Sequence, residues 1–579
     1  MMRSLRLVIV ATVCGGVNAG FAPAADAVGA HEVRFANGCV AADHPLASEA
    51  GVEMLRRGGN VVDAAVATAF ALGVVRPEGC GLGGGGFLVY WDSANRQAVA
   101  VDYRERAPQR ASRDMYLGED GESANAPASR TGGLAVAVPG DAAGLCFVLE
   151  QYGTLDLGTV LEPALRLARE GFAVDKTFRS VQQEVLDDFA KHPEYADRFA
   201  TLVTLYLNNG KPFAEGDRFH SPLAGVLELL AAHGARGFTE GPVAEAIVAE
   251  VQKQRGMVTR DDLTAMRPVV REPLRGEFGG YDVIAMPPPS SGGVAVIQTL
   301  NIIATYERQH PELSLARLGH NSPRAAHLVV EAMKHAFADR AEFLGDTDFV
   351  EVPVSRLVST DHAARLAAKI DMDRTLPTAA YGRFASVPDG GTSHFCVIDR
   401  EGNAVACTET INTLFGSYVV EPRYGIVLNN EMDDFAAVPG RPNAFGLIQS
   451  EANAVAPGKK PLSSMSPTIL VKHGKAAMVA GGSGGPRIIS GTLQVLLNIV
   501  RYGQTADEAV RSPRFHHQWL PNTLFLEPDL AATLKTPLEQ RGHPVTIRDG
   551  LGVIQATVRT EAGITAASDP RKGGRPAGH

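Results

Sequence analysis

Thr392 follows Gly390-Gly391 and precedes Ser393-His394, where a turn-rich stretch gives way to strand-like residues. A threonine hydroxyl is ordinarily a poor nucleophile. A cut between Gly391 and Thr392 would set a free α-amine beside that hydroxyl. One residue would then hold nucleophile and base, the N-terminal threonine variant of the catalytic triad. Polar clusters follow it: Thr408-Glu409-Thr410-Ile411-Asn412, Asn429 to Phe435, Pro461 to Pro467 and Gly481 to Arg487. Taken singly, each reads as a turn, a loop or a linker.

Other patterns invite chemistry and have plainer explanations. Gly81-Leu82-Gly83-Gly84-Gly85-Gly86-Phe87 lacks GK[ST] and leads into a strand-like run, so neither phosphate-cradle mechanism applies. Tight backbone packing at a strand start is expected there. His327, Glu331 and His335 share one face of a helix that Ser322 caps and Pro323 opens. The spacing could serve a metal, but it is not HExxH and no further ligand cluster accompanies it. A polar helix face is the expectation, with no metal and no cofactor.

The elements that must position Thr392 are legible in outline. Leu46 to Leu55 and Asp63 to Val75 carry helical patterns broken by Gly58-Gly59, and Phe87 to Trp91 reads as a strand. Residues 135–370 read as mostly helical, interrupted at Met286-Pro287-Pro288-Pro289-Ser290-Ser291-Gly292-Gly293. Residues 371–391 have no period and read as an exposed loop. Phe395 to Ile398 and Ala404 to Ala406 then form a hairpin around Asp399-Arg400-Glu401-Gly402-Asn403. Strands near Thr468 to Val471, Ala476 to Ala480 and Val553 to Val558, with a helix near Ile488 to Val500, complete a layered sheet-and-helix pattern.

The chain has 579 residues, 45% apolar and 21% charged, as in an ordinary globular protein. A net charge of −9 without a basic run argues against nucleic acid as the main partner. Arg3, Arg6, the apolar Leu7 to Val13 and the small-x-small Val17-Asn18-Ala19 read as a secretory signal over residues 1–19, with Ala22-Pro23-Ala24 as an alternative site near 24. That apolar run is too short to span a bilayer, and no later stretch is long enough. Cys14 admits a lipoprotein alternative, which the bulky Val13 disfavours. Export would make the protein periplasmic or extracellular and would permit disulfides. Cys39, Cys80, Cys146, Cys396 and Cys407 then remain. Cys396 and Cys407 flank the hairpin and could face each other, although five small buried hydrophobes are the simpler expectation.

Taken together, Thr392-Ser393-His394, Gly402-Asn403-Ala404-Val405, Thr408-x-Thr410-Ile411-Asn412 and Phe415-Gly416 resemble the signature of the γ-glutamyltranspeptidases. The resemblance runs through the polar clusters above, Pro513 to Trp519 and Ser568-Asp569-Pro570-Arg571. Upstream it includes Gly81 to Phe87, Asp102 to Pro108 and the MPPPSSGG loop. It implies an α+β, four-layer αββα N-terminal nucleophile hydrolase fold, with two stacked antiparallel sheets between helical layers. It also implies autocatalytic cleavage at Gly391-Thr392 into a large subunit (residues 20–391) and a small one (392–579), intertwined in one domain.

The resemblance implies a transferase and hydrolase acting on glutathione or another γ-glutamyl donor, with an amino acid, dipeptide or water as acceptor. Gly484 and Gly485 would form the oxyanion hole and Thr410 would orient Thr392. Arg104, Ser463 and Ser464 would bind the donor's α-carboxylate; Asn412, Glu431 and Asp434 would hold its ammonium. Phe445 falls in a lid loop, where it can pack but not hydrogen bond. Cys396 departs from the family's usual Ser or Thr, with a small effect expected. A cephalosporin acylase of the same superfamily would lack the ammonium binders, and a non-catalytic, uncut binding protein is a third reading.

Overall fold

The computed structural model describes residues 33–118, 126–383, 391–436 and 450–579. The signal-like N-terminus, Gly390 and Phe445 lie outside the described residues. Two seven-stranded antiparallel sheets organise the chain. One runs Ala577–Gly578, Gly38–Ala42, Gly391–Asp399, Ala404–Asn412, Gly85–Asp92, Gln97–Asp102, Val269–Arg271. The other runs Arg34–Phe35, Gly563–Ala567, Val553–Thr560, Lys475–Ser483, Thr468–Lys472, Tyr281–Ala285, Leu274–Phe278. Each sheet takes strands from both sides of the Gly391-Thr392 peptide.

The period of two in each strand decides which layer a residue joins. Val40, Ala42, Leu88, Phe395, Val397, Val405 and Cys407 point outward, onto the helices Pro45–Arg56, Val61–Val75 and Asp141–Tyr152. Their neighbours Cys39, Ala41, Phe87, Val89, Cys396, Ile398, Ala404 and Ala406 point inward, against Ile284, Ile469, Val471, Val479 and Ile564 of the second sheet. Leu470, Met478, Ala480 and Ile554 pack outward again, under Gly292–Gln309, Pro323–Phe343 and Arg487–Tyr502. The result is the four-layer αββα sandwich. Central strands buried on both faces read as unbroken apolar runs rather than as alternation.

This register separates Cys396 from Cys407. Cys396 pairs with Ala406 and Cys407 with Phe395, so the two thiols lie on opposite faces of the hairpin. All five cysteines among the described residues are free, four of them buried.

Several expected boundaries move for local reasons. The alanine-rich helix begins at Val61, not Asp63. Asn60 caps it, and Asp63 is the third helical residue, closing the capping box through Asn60 N–H at 2.7 Å. Three strands between 269 and 285 interrupt the span expected to be helical. Val269–Arg271 and Leu274–Phe278 sit at sheet edges, and exposed Arg275 and Glu277 blunt the apolar signal of the latter. The expected polar face of His327, Glu331 and His335 is instead buried. His327 Nδ1 meets His543 Nε2 at 2.8 Å, while Glu331 accepts from Thr375 at 2.7 Å and Lys334 at 3.2 Å and also from Tyr381. His335 instead lies against the Tyr381 ring. The Lys334 ammonium already meets the Glu331 charge.

Asp569 ties the C-terminal segment to this framework. Its buried carboxylate pairs with Arg514 at 2.8 Å and Arg571 at 3.1 Å and accepts the Ile554 N–H at 2.9 Å. Burial would raise its pKa, but the two guanidinium charges and the backbone donors outweigh that and hold it below the ordinary aspartate value. A depressed folded-state pKa contributes stability above the unfolded value of about 3.9, lost as pH falls through the folded value. Asp569→Asn is therefore expected to cost about 3–5 kcal/mol at neutral pH, because Arg514 is left buried without its partner. Urea denaturation at pH 7 and pH 3 checks this, and the gap between variant and wild type should narrow at the lower pH.

Candidate active site at Thr392

Thr392 sits at a break in the sheet. Gly391 pairs with Asn412 and Ser393 with Glu409, so Thr392 faces two residues, Thr410 and Ile411. The ladder is interrupted at the peptide of interest. There, Thr392 Oγ1 and Thr410 Oγ1 each donate to the Gly391 carbonyl oxygen at 2.6 Å. The two hydroxyl oxygens are 3.3 Å apart, and Thr410 Oγ1 also accepts the Asn412 N–H at 2.8 Å. Gly391 is required by close approach rather than by a left-handed conformation. A Cβ there would lie 2.9 Å from the Thr413 carbonyl carbon and 3.0 Å from the Asn412 oxygen.

The glycine-rich run explains how Thr410 comes so close. A Cβ on Gly84 would lie 2.0 Å from the Thr410 carbonyl oxygen, and one on Gly83 1.9 Å from that of Val427. These glycines allow backbone to meet backbone at the strand start.

Asn412 has φ 73° and donates through Nδ2 to the Asn430 carbonyl at 3.0 Å. That bond orients the amide and leaves Oδ1 buried with no hydrogen-bond partner among the described residues. Asn429 locks the adjoining turn. Its Nδ2 donates to Gly83 at 2.7 Å and Ala137 at 3.0 Å, and its Oδ1 accepts the Glu431 N–H at 3.0 Å.

Arg104 is a buried hub, only 1% exposed. Its guanidinium reaches Glu431 at 2.7 Å and Asp434 at 2.5 Å, and its Nε donates to the Pro461 carbonyl at 3.4 Å. Residues separated by hundreds of positions thus share one cation. Behind it, burial pushes Glu105 up to about 8 and Asp141 up to about 7. Burial, then the Asp141 charge, holds Glu409 well above the ordinary carboxylate range.

Ser463 and Ser464 lie on a buried loop against the MPPPSSGG segment. Ser291 donates N–H and hydroxyl to the Ser463 carbonyl at 2.7 and 2.6 Å. Ser463 Oγ accepts the Met465 N–H at 3.1 Å, and Ser464 Oγ accepts Arg340 Nη2 at 3.0 Å. Each hydroxyl oxygen is thereby engaged as an acceptor, leaving its O–H to donate to an anion. Arg340 and Asn453 were not legible as site residues. Asn453 joins the Asp434 carbonyl, at 2.7 Å, to the Leu462 N–H, at 3.0 Å. Neither belongs to a motif, and only long-range contacts reveal them.

Gly484 and Gly485 turn the end of Lys475–Ser483 into the helix Arg487–Tyr502, with φ of 119° and 64°. Arg487 Nε holds the Gly484 carbonyl at 2.9 Å. Among the described residues neither glycine N–H is taken by a backbone acceptor. The adjoining strand faces the strand Gly391–Asp399, and a Cβ on Gly481 would lie 2.2 Å from the His394 ring. Burial pushes His394 down to about 3, so it is neutral, held by Thr408 at 2.7 Å. Cys396 Sγ lies 3.4 Å from its other nitrogen.

A four-layer αββα sandwich carrying a threonine at the head of a central strand defines the N-terminal nucleophile hydrolase class. Residues 47–579 match the family model Gamma-glutamyltranspeptidase, and the chain belongs to that family. It is 41% identical to the glutathione hydrolase proenzyme of Escherichia coli (strain K12), over 93% of this chain and 91% of that one. It is 39% identical to glutathione hydrolase 2 of Arabidopsis thaliana, over 94% of each. Among solved structures, the cephalosporin acylase from Bacillus halodurans superposes with a TM-score of 0.82 at 26% identity, covering 97% of this chain and 99% of that one. The Helicobacter pylori gamma-glutamyltranspeptidase superposes with a TM-score of 0.53 at 38% identity, covering 58% of this chain and 92% of that one.

Proposed function

We propose that the protein is a γ-glutamyltransferase and glutathione hydrolase whose precursor cuts itself between Gly391 and Thr392. The observation that carries this is the pair of hydroxyls, Thr392 and Thr410, on the Gly391 carbonyl at 2.6 Å. Thr392 Oγ1 attacks that carbonyl carbon and gives up its proton, the peptide nitrogen takes a proton in its place as its C–N bond breaks, and an ester forms. Thr410 donates to the oxygen on which negative charge develops. Water then hydrolyses the ester and frees the Gly391 carboxylate and the Thr392 α-amine. The products are a large chain ending at Gly391 and a small chain starting at Thr392, which stay together because each supplies strands to both sheets.

In turnover the α-amine, of ordinary pKa about 7.7–8.0, accepts the Thr392 hydroxyl proton. The oxygen attacks the γ-carbonyl of the donor, the γ-amide C–N bond breaks as the protonated α-amine gives its proton to the leaving amine, and a γ-glutamyl ester on Thr392 remains for the acceptor to attack. Gly484 and Gly485 N–H groups meet the oxyanion, each worth about 3–4 kcal/mol. Without donor, Arg104 is neutralised by Glu431 and Asp434. The zwitterionic end of a γ-glutamyl group can replace this pairing charge for charge: carboxylate on Arg104, Ser463 and Ser464, ammonium on Glu431, Asp434 and Asn412 Oδ1. Water as acceptor gives glutamate; an amino acid or dipeptide gives a new γ-glutamyl compound. Phe445, outside the described residues, is assigned to a lid.

The signal-like N-terminus assigns the enzyme to the periplasm or the exterior; no helix among the described residues is long and apolar enough to cross a membrane. Release of p-nitroaniline from γ-glutamyl-p-nitroanilide, with and without glycylglycine, tests the activity. Turnover stimulated by glycylglycine is expected. A protein inactive on this donor but active on glutaryl-7-aminocephalosporanic acid would instead be an acylase, the reading that the acylase-like superposition favours.

A further inference from the structure

Lys572 occupies a place in this site that neither the substrate contacts nor the self-cleavage chemistry explains. Its Nζ donates to the Thr392 carbonyl oxygen at 2.7 Å and the Ser393 hydroxyl at 3.2 Å, and pairs with Asp43 Oδ2 at 2.7 Å. Its backbone is clamped, the carbonyl accepting from Arg76 at 3.1 Å and Thr177 at 3.0 Å. Thr392 lies where the ladder is interrupted, opposite the two residues Thr410 and Ile411. Lys572 brings a charged side-chain donor to the Thr392 carbonyl. We propose that Lys572 is a positioning residue for the nucleophile. It anchors Thr392 once the Gly391 peptide is cut, and its charge holds the neighbouring α-amine in the neutral form required of a base. This rests on the reading of Thr392 as a new N-terminus.

The surrounding charges reduce that effect without cancelling it. Asp43 offsets part of the Lys572 charge and is itself held by Gln555 at 2.5 Å. Arg76 is committed to Asp175 and lies 3.9 Å from the buried Glu78, whose pKa burial raises. His44, also beside Asp175, is pushed down to about 3 by burial, then by Arg76, and is neutral. From the partner strand, Glu409 faces Ser393 with Asp141 behind it, both raised by burial; burial likewise keeps the Cys80 and Cys407 thiols protonated. On the donor side Arg104 is paired with two carboxylates, Glu431 and Asp434, and adds no free positive charge. A nearby cation disfavours an ammonium, and with Asp43 opposing it the expected depression of the α-amine pKa is on the order of one unit.

The test uses the full-length precursor and its Lys572→Met, Lys572→Arg and Asp43→Asn variants. Mass spectrometry of the small chain reads maturation, and kcat and KM are followed from pH 5 to 10. Removing the cation raises the amine pKa, so in matured K572M the acid limb of kcat/KM should move up by about one unit. At neutral pH kcat should fall while KM changes little. K572R should restore the limb, and D43N, which keeps the cation and removes its counter-charge, should move it down. A matured K572M with its acid limb in the wild-type position overturns the proposal. If K572M stays uncut, an unmoved limb in D43N overturns it. A wild-type protein without Thr392 at the start of a small chain overturns the reading beneath it.

Discussion

Thr392→Ala is expected to leave the precursor as one uncut chain with no measurable turnover. Both effects follow from one missing atom. Oγ1 lies 2.6 Å from the oxygen of the carbonyl it must attack, and no second hydroxyl can take its place. Thr410 also lies 2.6 Å from that oxygen, but it belongs to the partner strand and would not generate an amine beside itself. Loss of a nucleophile costs roughly a millionfold in kcat where it has been measured, and here loss of maturation removes the base as well. Thr392→Ser separates the two roles of the side chain. It keeps the hydroxyl and loses the methyl that restricts χ1, so it should cut and turn over more slowly than wild type. Denaturing electrophoresis and γ-glutamyl-p-nitroanilide turnover check both variants. A cut and active T392A would remove Thr392 from the mechanism.

Substituting Arg104 should have the next largest effect. Its fork bridges Glu431 at 2.7 Å and Asp434 at 2.5 Å, and all three side chains are buried. Arg104→Lys keeps the charge but cannot span both carboxylates or grip a donor carboxylate bidentately. It should raise KM for the donor at least tenfold, about 1.4 kcal/mol, while still maturing. Arg104→Met leaves two carboxylates in a buried site without their cation and should also lose about 3–5 kcal/mol of stability. A donor lacking the α-carboxylate provides the control. It should be used equally poorly by wild type and R104K, because the contact that distinguishes them is absent. If R104K loses activity equally on both donors, Arg104 supports the fold and does not read the carboxylate.

The sequence showed most of this site as a set of short segments. Gly391-Thr392 is legible because the proposed nucleophile, scissile carbonyl and future base are covalently adjacent. The hairpin behind them is legible because apolar runs and a glycine turn are local signals. Cys396 and Cys407 could not be resolved in the same way. Whether two hairpin residues share a face depends on a register that shifts by one residue at a time. His327 finds His543, 216 positions away, where helical spacing had offered His335.

What the sequence determined by itself was the chemistry available: a threonine that can become a terminus, one arginine with carboxylates and hydroxyls to share a zwitterion, and glycines where backbone must approach backbone. Tertiary structure decided which of these meet. It buried Arg104 between Glu431 and Asp434 and brought Arg340 and Asn453 behind the serine loop. It also carried Lys572 from the last turn of the chain to the Thr392 carbonyl, 180 positions away. The physical reason is that hydrogen bonds and ion pairs depend on distance in space, and the packing of two sheets, not the order of residues, sets that distance.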